Sequence, residues 1–250
     1  MSMRKFVIGD IHGGYRSLMQ CLERSNFNKE EDLLITLGDI VDGWPETPQV
    51  VDELLTIKNR IDIRGNHDQW AVDWYLTGIA KHLWLSQGGQ ATFDAYIKMM
   101  DEDMDKYHYH FSEFFNKQDY YYIDDENRLF VHGGCDWRKP IEEQRMDDLM
   151  WDRHLYEVSL YHYQQNILHG ENNNFDRYKE IYIGHTSTLS NQGFNWRIEP
   201  FTEPRATTNV WNLDQGGGWG GKLSIMNIDT KEFWQSDNVK NLYNDYIGRK

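Results

Sequence analysis

The chain has 250 residues, with 26 Lys and Arg against 40 Asp and Glu, so its formal net charge is −14. This charge disfavours long nucleic-acid tracts as partners, because such binding depends on basic side chains. Its two cysteines indicate no disulfide framework, and it contains neither an apolar run of about 18 residues nor a signal-peptide core. We therefore expect a cytoplasmic protein with no membrane partner.

Strand-like apolar runs alternate with amphipathic helices through the first quarter of the chain. In chain order these segments are a strand at 5–9, a helix with Leu18, Met19 and Leu22 on its apolar stripe, a strand at 33–38, a helix at about 49–58 and a short strand at 61–63. Strand, helix, strand, helix, strand describes βαβ units, so we expect an α/β fold with parallel strand pairing.

The rest of the sequence adds a helical region, further strands and two loops. Residues 69–116 read as an aromatic-rich helical insertion, and residues 161–178 and 187–211 read as candidate lid loops that select the substrate. The remaining strand-like runs lie at 119–123, 128–132, 181–184, 222–228 and 231–235. Because the polar motifs are spread from residue 9 to residue 186 and must meet at one site, we expect a single domain over residues 1–250.

Five short polar clusters each follow a strand-like run. They are Gly9-Asp10-Ile11-His12-Gly13, Gly38-Asp39-Ile40-Val41-Asp42-Gly43, Arg64-Gly65-Asn66-His67-Asp68, His132-Gly133-Gly134 and Gly184-His185-Thr186. Open α/β sheets place their sites at the carboxyl ends of strands, so these clusters are expected to converge. Carboxylates, an amide and imidazoles meeting at one point are typical of a metal site.

The residue types predict two adjacent divalent ions. On an extended chain, Asp10 and His12 point the same way and can hold one ion. Asp39 can bridge two ions with its two oxygens, and Asn66, His132 and His185 complete the second in that interpretation. Two ions about 3.5–4 Å apart can clamp a phosphoryl group and lower the pKa of a bridging water, whose hydroxide attacks phosphorus.

Three further residues suit the remaining steps of phosphoester hydrolysis. His67, beside Asn66, is our candidate for the acid that protonates the departing oxygen, and Asp42 is its candidate orienting carboxylate. Arg153 can fork onto two phosphate oxygens. We interpret Asp68 and Arg64 as structural, and Cys135 as a packing residue.

Taken together, the clusters resemble the calcineurin-like metallophosphoesterases, specifically the phosphoprotein phosphatase branch. The resemblance extends to Trp84–Thr92, Trp151-Asp152-Arg153 and the stretch from Asp214 to Leu223. It implies a central β-sandwich flanked by helices, the same ligand set, a proton-donor pair of His67 with Asp42, and two ions of manganese, iron or zinc. Similarly, it implies that Arg153 binds phosphate.

The chain departs from this family at the end of its second cluster. Gly43 stands where the family usually has a phosphate-binding arginine, and Trp44 follows where glycine is expected. Another arginine, such as Arg138, could fill the gap. Asp68 replaces the more usual glutamate, as in many bacterial members.

The leading hypothesis is a serine/threonine protein phosphatase, a metal-dependent phosphomonoester hydrolase. The alternative keeps the chemistry and changes the substrate to a dinucleoside polyphosphate or other nucleotide, with Trp44 or Trp219 stacking on a base. A nucleic-acid end phosphatase or phosphodiesterase ranks third because of the acidic balance, and a non-catalytic binding protein would require degenerate ligands. All six ligands are present in the sequence.

Overall fold

Ten strands form two five-stranded sheets in this computed structural model, which describes residues 3–170, 174–189, 200–246 and 248–249. In chain order the strands are β1 Lys5–Ile8, β2 Leu33–Thr36, β3 Asn59–Asp62, β4 Tyr121–Ile123, β5 Arg128–Val131, β6 Glu180–Ile183, β7 Arg205–Thr207, β8 Val210–Asn212, β9 Ser224–Asn227 and β10 Phe233–Gln235.

Each sheet is mixed. The first has the order β10-β9-β1-β2-β3, in which β1, β2 and β3 are parallel and β9 is antiparallel to both of its neighbours, β1 and β10. The second has the order β4-β5-β6-β8-β7, in which β5, β6 and β8 are parallel. Since parallel neighbours end at the same edge, the loops after β1, β2 and β3 share one edge of the first sheet, and the loops after β5 and β6 share one edge of the second.

The two sheets pack face to face. Because side chains alternate along a strand, Val7 of β1 points into the layer between the sheets, whereas Phe6 and Ile8 point to the opposite face. The layer between the sheets also contains Phe130 and Tyr182, whose rings stack with centroids 4.8 Å apart. Burying each such side chain contributes about 1.5–3 kcal/mol to folding.

Helices cover the outer faces of both sheets. They are α1 Tyr15–Arg24, α2 Thr47–Leu55, α3 Asn66–Thr77, α4 His82–Trp84, α5 Gln90–Glu102, α6 Met104–Glu113, α7 Met146–Trp151, α8 His154–His169 and α9 Val239–Leu242. Helices α1, α2, α3, α5 and α6 supply the core outside the first sheet, and α7 and α8 supply the core outside the second. The predicted fold class, a central β-sandwich of mixed sheets flanked by helices, is confirmed.

Both predicted lid loops contain regular structure. Residues 161–169 form the second half of α8, and residues 205–212 form the β7–β8 hairpin of the second sheet. The expectation of a loop is therefore wrong for these residues, because Tyr163 of the first segment and Val210 of the second pack in the second core. Residues 171–173 and 190–199 lie outside the described residues.

The helical region expected over residues 69–116 contains α3 to α6. Within the described residues, none of the helices combines the length and apolar character that crossing a membrane requires.

Candidate active site

The predicted ligands converge where the two sheets present the ends of their parallel strands. The six side chains lie within a few residues of the ends of five strands. They are Asp10 and His12 after β1, Asp39 after β2, Asn66 after β3, His132 after β5 and His185 after β6. All six are at most 7 % exposed. The structure thus brings together residues separated by up to 175 positions in the chain.

Several of these residues occupy the left-handed region of backbone space. The φ angles are 51° for His12, 50° for Asp39, 75° for Asp42 and 63° for His185. Non-glycine residues rarely adopt such angles, and surrounding structure must hold them there. The turns are tight: a Cβ added at Gly65 would lie 2.2 Å from Asp39 Oδ1. Only glycine allows these two loops to approach so closely.

The first ligand group is Asp10, His12 and Asp39. One ligand atom from each of the three lies within 4.8 Å of the others. His12 Nε2 is 3.6 Å from Asp39 Oδ2 and 3.9 Å from Asp10 Oδ2. His12 Nδ1 donates to the Val41 carbonyl at 2.9 Å, which leaves the lone pair of Nε2 facing the carboxylates.

The second ligand group is Asp39, His132 and His185, again with ligand atoms within 4.8 Å of one another. His132 Nδ1 donates to the Leu37 carbonyl at 2.7 Å, and its Nε2 lies 3.4 Å from Asp39 Oδ1 and 3.0 Å from Asn66 Oδ1. Asp39 therefore belongs to both groups, with one oxygen toward each. A carboxylate shared in this way can bridge two ions.

Without a bound cation, the negative charges of the buried carboxylates in this cluster are not fully compensated. Burial, and then the charge of Asp214, raises the pKa of Asp10 well above its usual value. Burial opposes ionisation of Asp39 as well, but His132 and His67 lower its pKa well below the usual range. Although burial disfavours the imidazolium, Asp39 raises the pKa of His132 to about 9. A proton on His132 thus supplies positive charge that a metal ion would replace.

The donor set fits divalent metal ions. His185 Nε2 is buried and has no hydrogen-bond partner, which is costly unless a ligand completes it. Mixed carboxylate, amide and imidazole donors suit manganese, iron or zinc.

His67 and Asp42 form a buried pair beside the first ligand group. The distance from His67 Nδ1 to Asp42 Oδ2 is 2.6 Å, and the His67 ring lies 5.3 Å from the ring of His12. Trp84 Nε1 also donates to Asp42, at 2.8 Å. Burial lowers the pKa of His67 to about 3 and raises the pKa of Asp42 well above its usual value. Burial thus opposes charge on both groups, and the short contact between Oδ2 and Nδ1 lets them share a proton.

Arg153 lies beside the second ligand group. Its Nη1 donates to Thr186 Oγ1 at 3.0 Å and contacts the His185 carbonyl at 3.4 Å. Two indole rings line the same side: Trp151 lies 5.8 Å from the ring of His185 and 5.3 Å from that of Trp70. A guanidinium and a partly exposed aromatic wall therefore border this half of the site.

Asp68 accepts hydrogen bonds from three separate segments around the site, at Ile40 and Val41, at Gly65 and at Gln118. Its Oδ1 accepts from the backbone N–H groups of Ile40 at 2.8 Å and Val41 at 3.3 Å. Its Oδ2 accepts from Gly65 N and from Gln118 Nε2, both at 3.0 Å. With four donors and no exposed surface, Asp68 holds the Asp39 loop against the start of α3.

Other residues that stood out in the sequence occupy structural positions. Arg64 donates to the Phe115 carbonyl and to Gln69 Oε1. Burial raises the pKa of the Cys135 thiol to about 12, so this side chain packs and does not react. Residues 217–219 form a single helical turn.

Two expected roles are wrong. Trp44 cannot stack on a substrate base, because it is fully buried, donates through Nε1 to the Gly217 carbonyl at 2.9 Å and stacks on Tyr243. Arg138 does not reach the gap at the second cluster, because its exposed side chain pairs with Asp136 at 2.7 Å.

Two residues near the ligands were not identified from the sequence. Asp214 accepts from Gly216 N at 2.9 Å, and its charge acts on Asp10. It lies just after strand β8, so the pattern of polar residues after strands could have found it. Arg249, whose Nη1 lies 3.1 Å from His12 Nε2, carries no such signal, since it follows no strand and matches no motif.

Comparison with known proteins gives a consistent family. Residues 3–200 match the family model described as calcineurin-like phosphoesterase. Serine/threonine-protein phosphatase 2 of Escherichia coli is 36% identical over 107 residues, which cover 42% of this chain and 48% of that protein. A symmetrical bis(5'-nucleosyl)-tetraphosphatase of Buchnera aphidicola is 42% identical over 67 residues, 26% of this chain and 24% of that protein.

The fold also matches solved structures. A crystal structure of a candidate diadenosine tetraphosphatase superimposes with a TM-score of 0.60 and 15% identity, covering 94% of this chain and 93% of that one. The chain matches about half or less of the length of the curated relatives, so those alignments concern a shared core and not the whole proteins.

Proposed function

Because the chain belongs to the calcineurin-like phosphoesterase family, we propose that it is a metal-dependent phosphomonoester hydrolase acting on proteins phosphorylated on serine or threonine. The observation that carries this proposal is the pairing of two ligand groups through Asp39, with the His67–Asp42 pair beside them. Metal ligands and a proton donor in one buried cluster are the parts that phosphoester hydrolysis needs.

Each group has a distinct task in this proposal. Asp10, His12 and Asp39 would hold one ion, and Asp39, Asn66, His132 and His185 would hold the second. Two divalent ions, when bound, polarise a phosphoryl group and lower the pKa of a water molecule.

The chain's own residues position the substrate and move the proton. Arg153 donates two parallel N–H groups to phosphoryl oxygens, an arrangement that fixes orientation as well as charge. His67 gives its Nε2 proton to the oxygen that leaves. Asp42 stabilises the imidazolium and keeps the ring turned toward the ligands.

Phosphorylated proteins are favoured as substrates by the match to Escherichia coli serine/threonine-protein phosphatase 2, which extends over more residues than the match to the Buchnera tetraphosphatase. A second candidate substrate, a dinucleoside polyphosphate, is favoured by one structural observation. Trp219, 49% exposed, lies over the Arg249 guanidinium next to His12, where it could stack on a base.

A side-by-side assay separates these substrates. The manganese-loaded protein is offered a phosphoserine peptide, a phosphothreonine peptide and diadenosine tetraphosphate, and kcat/KM is measured for each. The proposal expects at least one phosphopeptide to be preferred by about tenfold or more, which is 1.4 kcal/mol of discrimination. Preference for diadenosine tetraphosphate would transfer the assignment to the second candidate.

The His67 role has its own test. His67→Asn should lower kcat for the phosphopeptide by about 10²–10⁴-fold, the usual contribution of a general acid, while the bound metal content stays unchanged. The matched control is His154→Asn, since His154 is an exposed histidine at the start of α8, and it should hydrolyse the peptide at the parental rate. Full activity of His67→Asn would remove the acid assignment.

A further inference from the structure

Arg249 lies against the first ligand group although it follows the last helix of the chain. Its Nη1 is 3.1 Å from His12 Nε2, the nitrogen that faces the carboxylates. The Arg249 backbone N–H donates to the Gly218 carbonyl at 3.0 Å. Gly218 in turn packs on the His12 ring so closely that a Cβ there would be 2.4 Å from His12 Cδ2.

Two glycines make room for the Arg249 side chain. A Cβ added at Gly88 would be 2.9 Å from Arg249 Cγ, and one added at Gly43 would be 3.2 Å from the same atom. The two glycines are joined by a hydrogen bond of 3.0 Å from Gly43 N to the Gly88 carbonyl, and both have positive φ. A side chain at residue 43 would occupy the space through which the Arg249 side chain passes. The observed position of Arg249 therefore depends on glycine at residue 43.

The segment that carries Arg249 is anchored on Trp44. Tyr243 stacks on the Trp44 indole with ring centroids 5.1 Å apart, and its hydroxyl accepts from Arg16 N at 3.0 Å. A Cβ at Gly248 would be 2.9 Å from Trp44 Cη2, so the backbone lies directly on the indole. This explains why a tryptophan beside Gly43 is fully buried.

The Arg249 guanidinium forms no direct ion pair among the described residues, although its charge acts on the carboxylates of Asp42 and Asp214. It lies 4.8 Å from the centroid of the exposed Trp219 ring, and its Nε is buried without a hydrogen-bond partner. Among residues 3–170, 174–189, 200–246 and 248–249, no carboxylate forms an ion pair with it. In a chain with 40 acidic residues, a half-buried arginine left in this condition points to an anionic ligand.

Arg153 occupies the corresponding place beside the second ligand group, near His185. We propose that Arg249 is a second phosphate-binding residue of this site, and that it and Arg153 hold the phosphoryl group of the substrate from opposite sides of the two ligand groups. This inference rests on the proposed phosphoesterase function. His12 Nε2 cannot serve both a metal ion and an arginine N–H, so ion binding frees the Arg249 donors for phosphoryl oxygens.

Phosphate binding tests this role apart from turnover. Inorganic phosphate is titrated calorimetrically into the manganese-loaded protein and into Arg249→Gln, with metal content and circular dichroism checked for both. The Kd for phosphate should rise by about tenfold or more in Arg249→Gln, because a hydrogen-bonded charge contact is lost. Arg249→Lys should recover only part of the affinity, since an ammonium keeps the charge but not the planar fork. Arg138→Gln is the control and should bind phosphate like the parent protein.

Each outcome of the titration either supports or contradicts phosphate binding by Arg249. Phosphate affinity within about twofold of the parent in a metal-replete Arg249→Gln variant overturns the inference. Parent protein that binds phosphate through Arg249 but cleaves no ester refutes the proposed function and supports the anion site. Parent protein that binds no phosphate refutes both. In steady-state assays of a phosphopeptide, the same variant should raise KM by about tenfold, as expected for lost substrate contact.

Discussion

The hydrogen bond between Asp42 and His67 can be removed with almost no change in shape by Asp42→Asn. In the parent protein Asp42 is fully buried, its Oδ2 faces His67 Nδ1 at 2.6 Å, and both carboxylate oxygens accept from Trp84 Nε1. Asparagine offers one oxygen in place of two. With that oxygen in the Oδ2 position it can accept from both His67 and Trp84 but carries no charge, and with it in the Oδ1 position His67 Nδ1 faces an NH₂ group.

The size of the effect follows from these contacts. A hydrogen bond to a charged group contributes about 1.5–3 kcal/mol, and a buried donor without an acceptor costs about 1–3 kcal/mol. With the amide oxygen at the Oδ2 position only the first loss applies, so the imidazolium form of His67 is destabilised by about 1.5–3 kcal/mol. Since 1.36 kcal/mol is a factor of ten in rate, kcat for a phosphoserine peptide should fall between about tenfold and about a hundred and fiftyfold.

The assay compares two leaving groups in the metal-loaded protein. A seryl alkoxide must be protonated as it departs, whereas p-nitrophenolate is stable without a proton. Asp42→Asn should therefore lower kcat for the phosphopeptide much more than kcat for p-nitrophenyl phosphate, with unchanged metal content. Trp84→Phe is the control that disturbs Asp42 from its other side while the Asp42–His67 contact remains.

An equal fall for both substrates would show that the change acts on site geometry and not on proton donation. Undiminished hydrolysis of the phosphopeptide would refute the reasoning altogether.

Three further predictions concern stability and the buried groups. Asp68→Asn leaves two of four buried donors without an acceptor, so it should lower the free energy of unfolding measured in urea titrations by about 2–6 kcal/mol. The control Asp73→Asn, at a partly exposed ion pair, should change that free energy by less than about 1 kcal/mol. Chelating the metal should lower Tm by about 5–10 °C, because ligand at a hundred times Kd contributes about 2.7 kcal/mol; identical calorimetric scans with and without chelator would contradict this. Burial raises the pKa of Cys21 and Cys135 to about 12, so a disulfide reagent at about pH 8 should label neither thiol in the native protein and both in urea, and rapid native labelling would be the contrary result.

The pattern of strands and polar clusters was readable from the sequence because it depends on local rules. Alternation of apolar residues, glycines at tight turns and polar side chains after strands identify β1, β2, β5 and β6 and the ligands that follow them. The two-sheet sandwich was implied by family resemblance, and the order of strands within each sheet came only from the structure.

The loops show where local composition misleads. Residues 161–169 are rich in Tyr, His, Gln and Asn, yet they continue α8, whose earlier turns bury Leu155 and Leu160 in the second core. Residues 205–212 contain polar residues and turn formers, yet they pair with β6 as β8 and its hairpin partner. In both cases tertiary packing outweighs local propensity.

By itself the sequence predicted candidate metal ligands and a candidate proton donor, because those roles depend on chemical type and on nearness to a strand end. It also revealed that an arginine was missing at Gly43. Only the tertiary structure decided that Trp44 is a buried anchor and that Arg249 comes to lie beside His12. That contact joins positions 237 residues apart and depends on a passage between glycines. No pattern of neighbouring residues encodes such a contact, since it exists only once the separate loops are packed against one another.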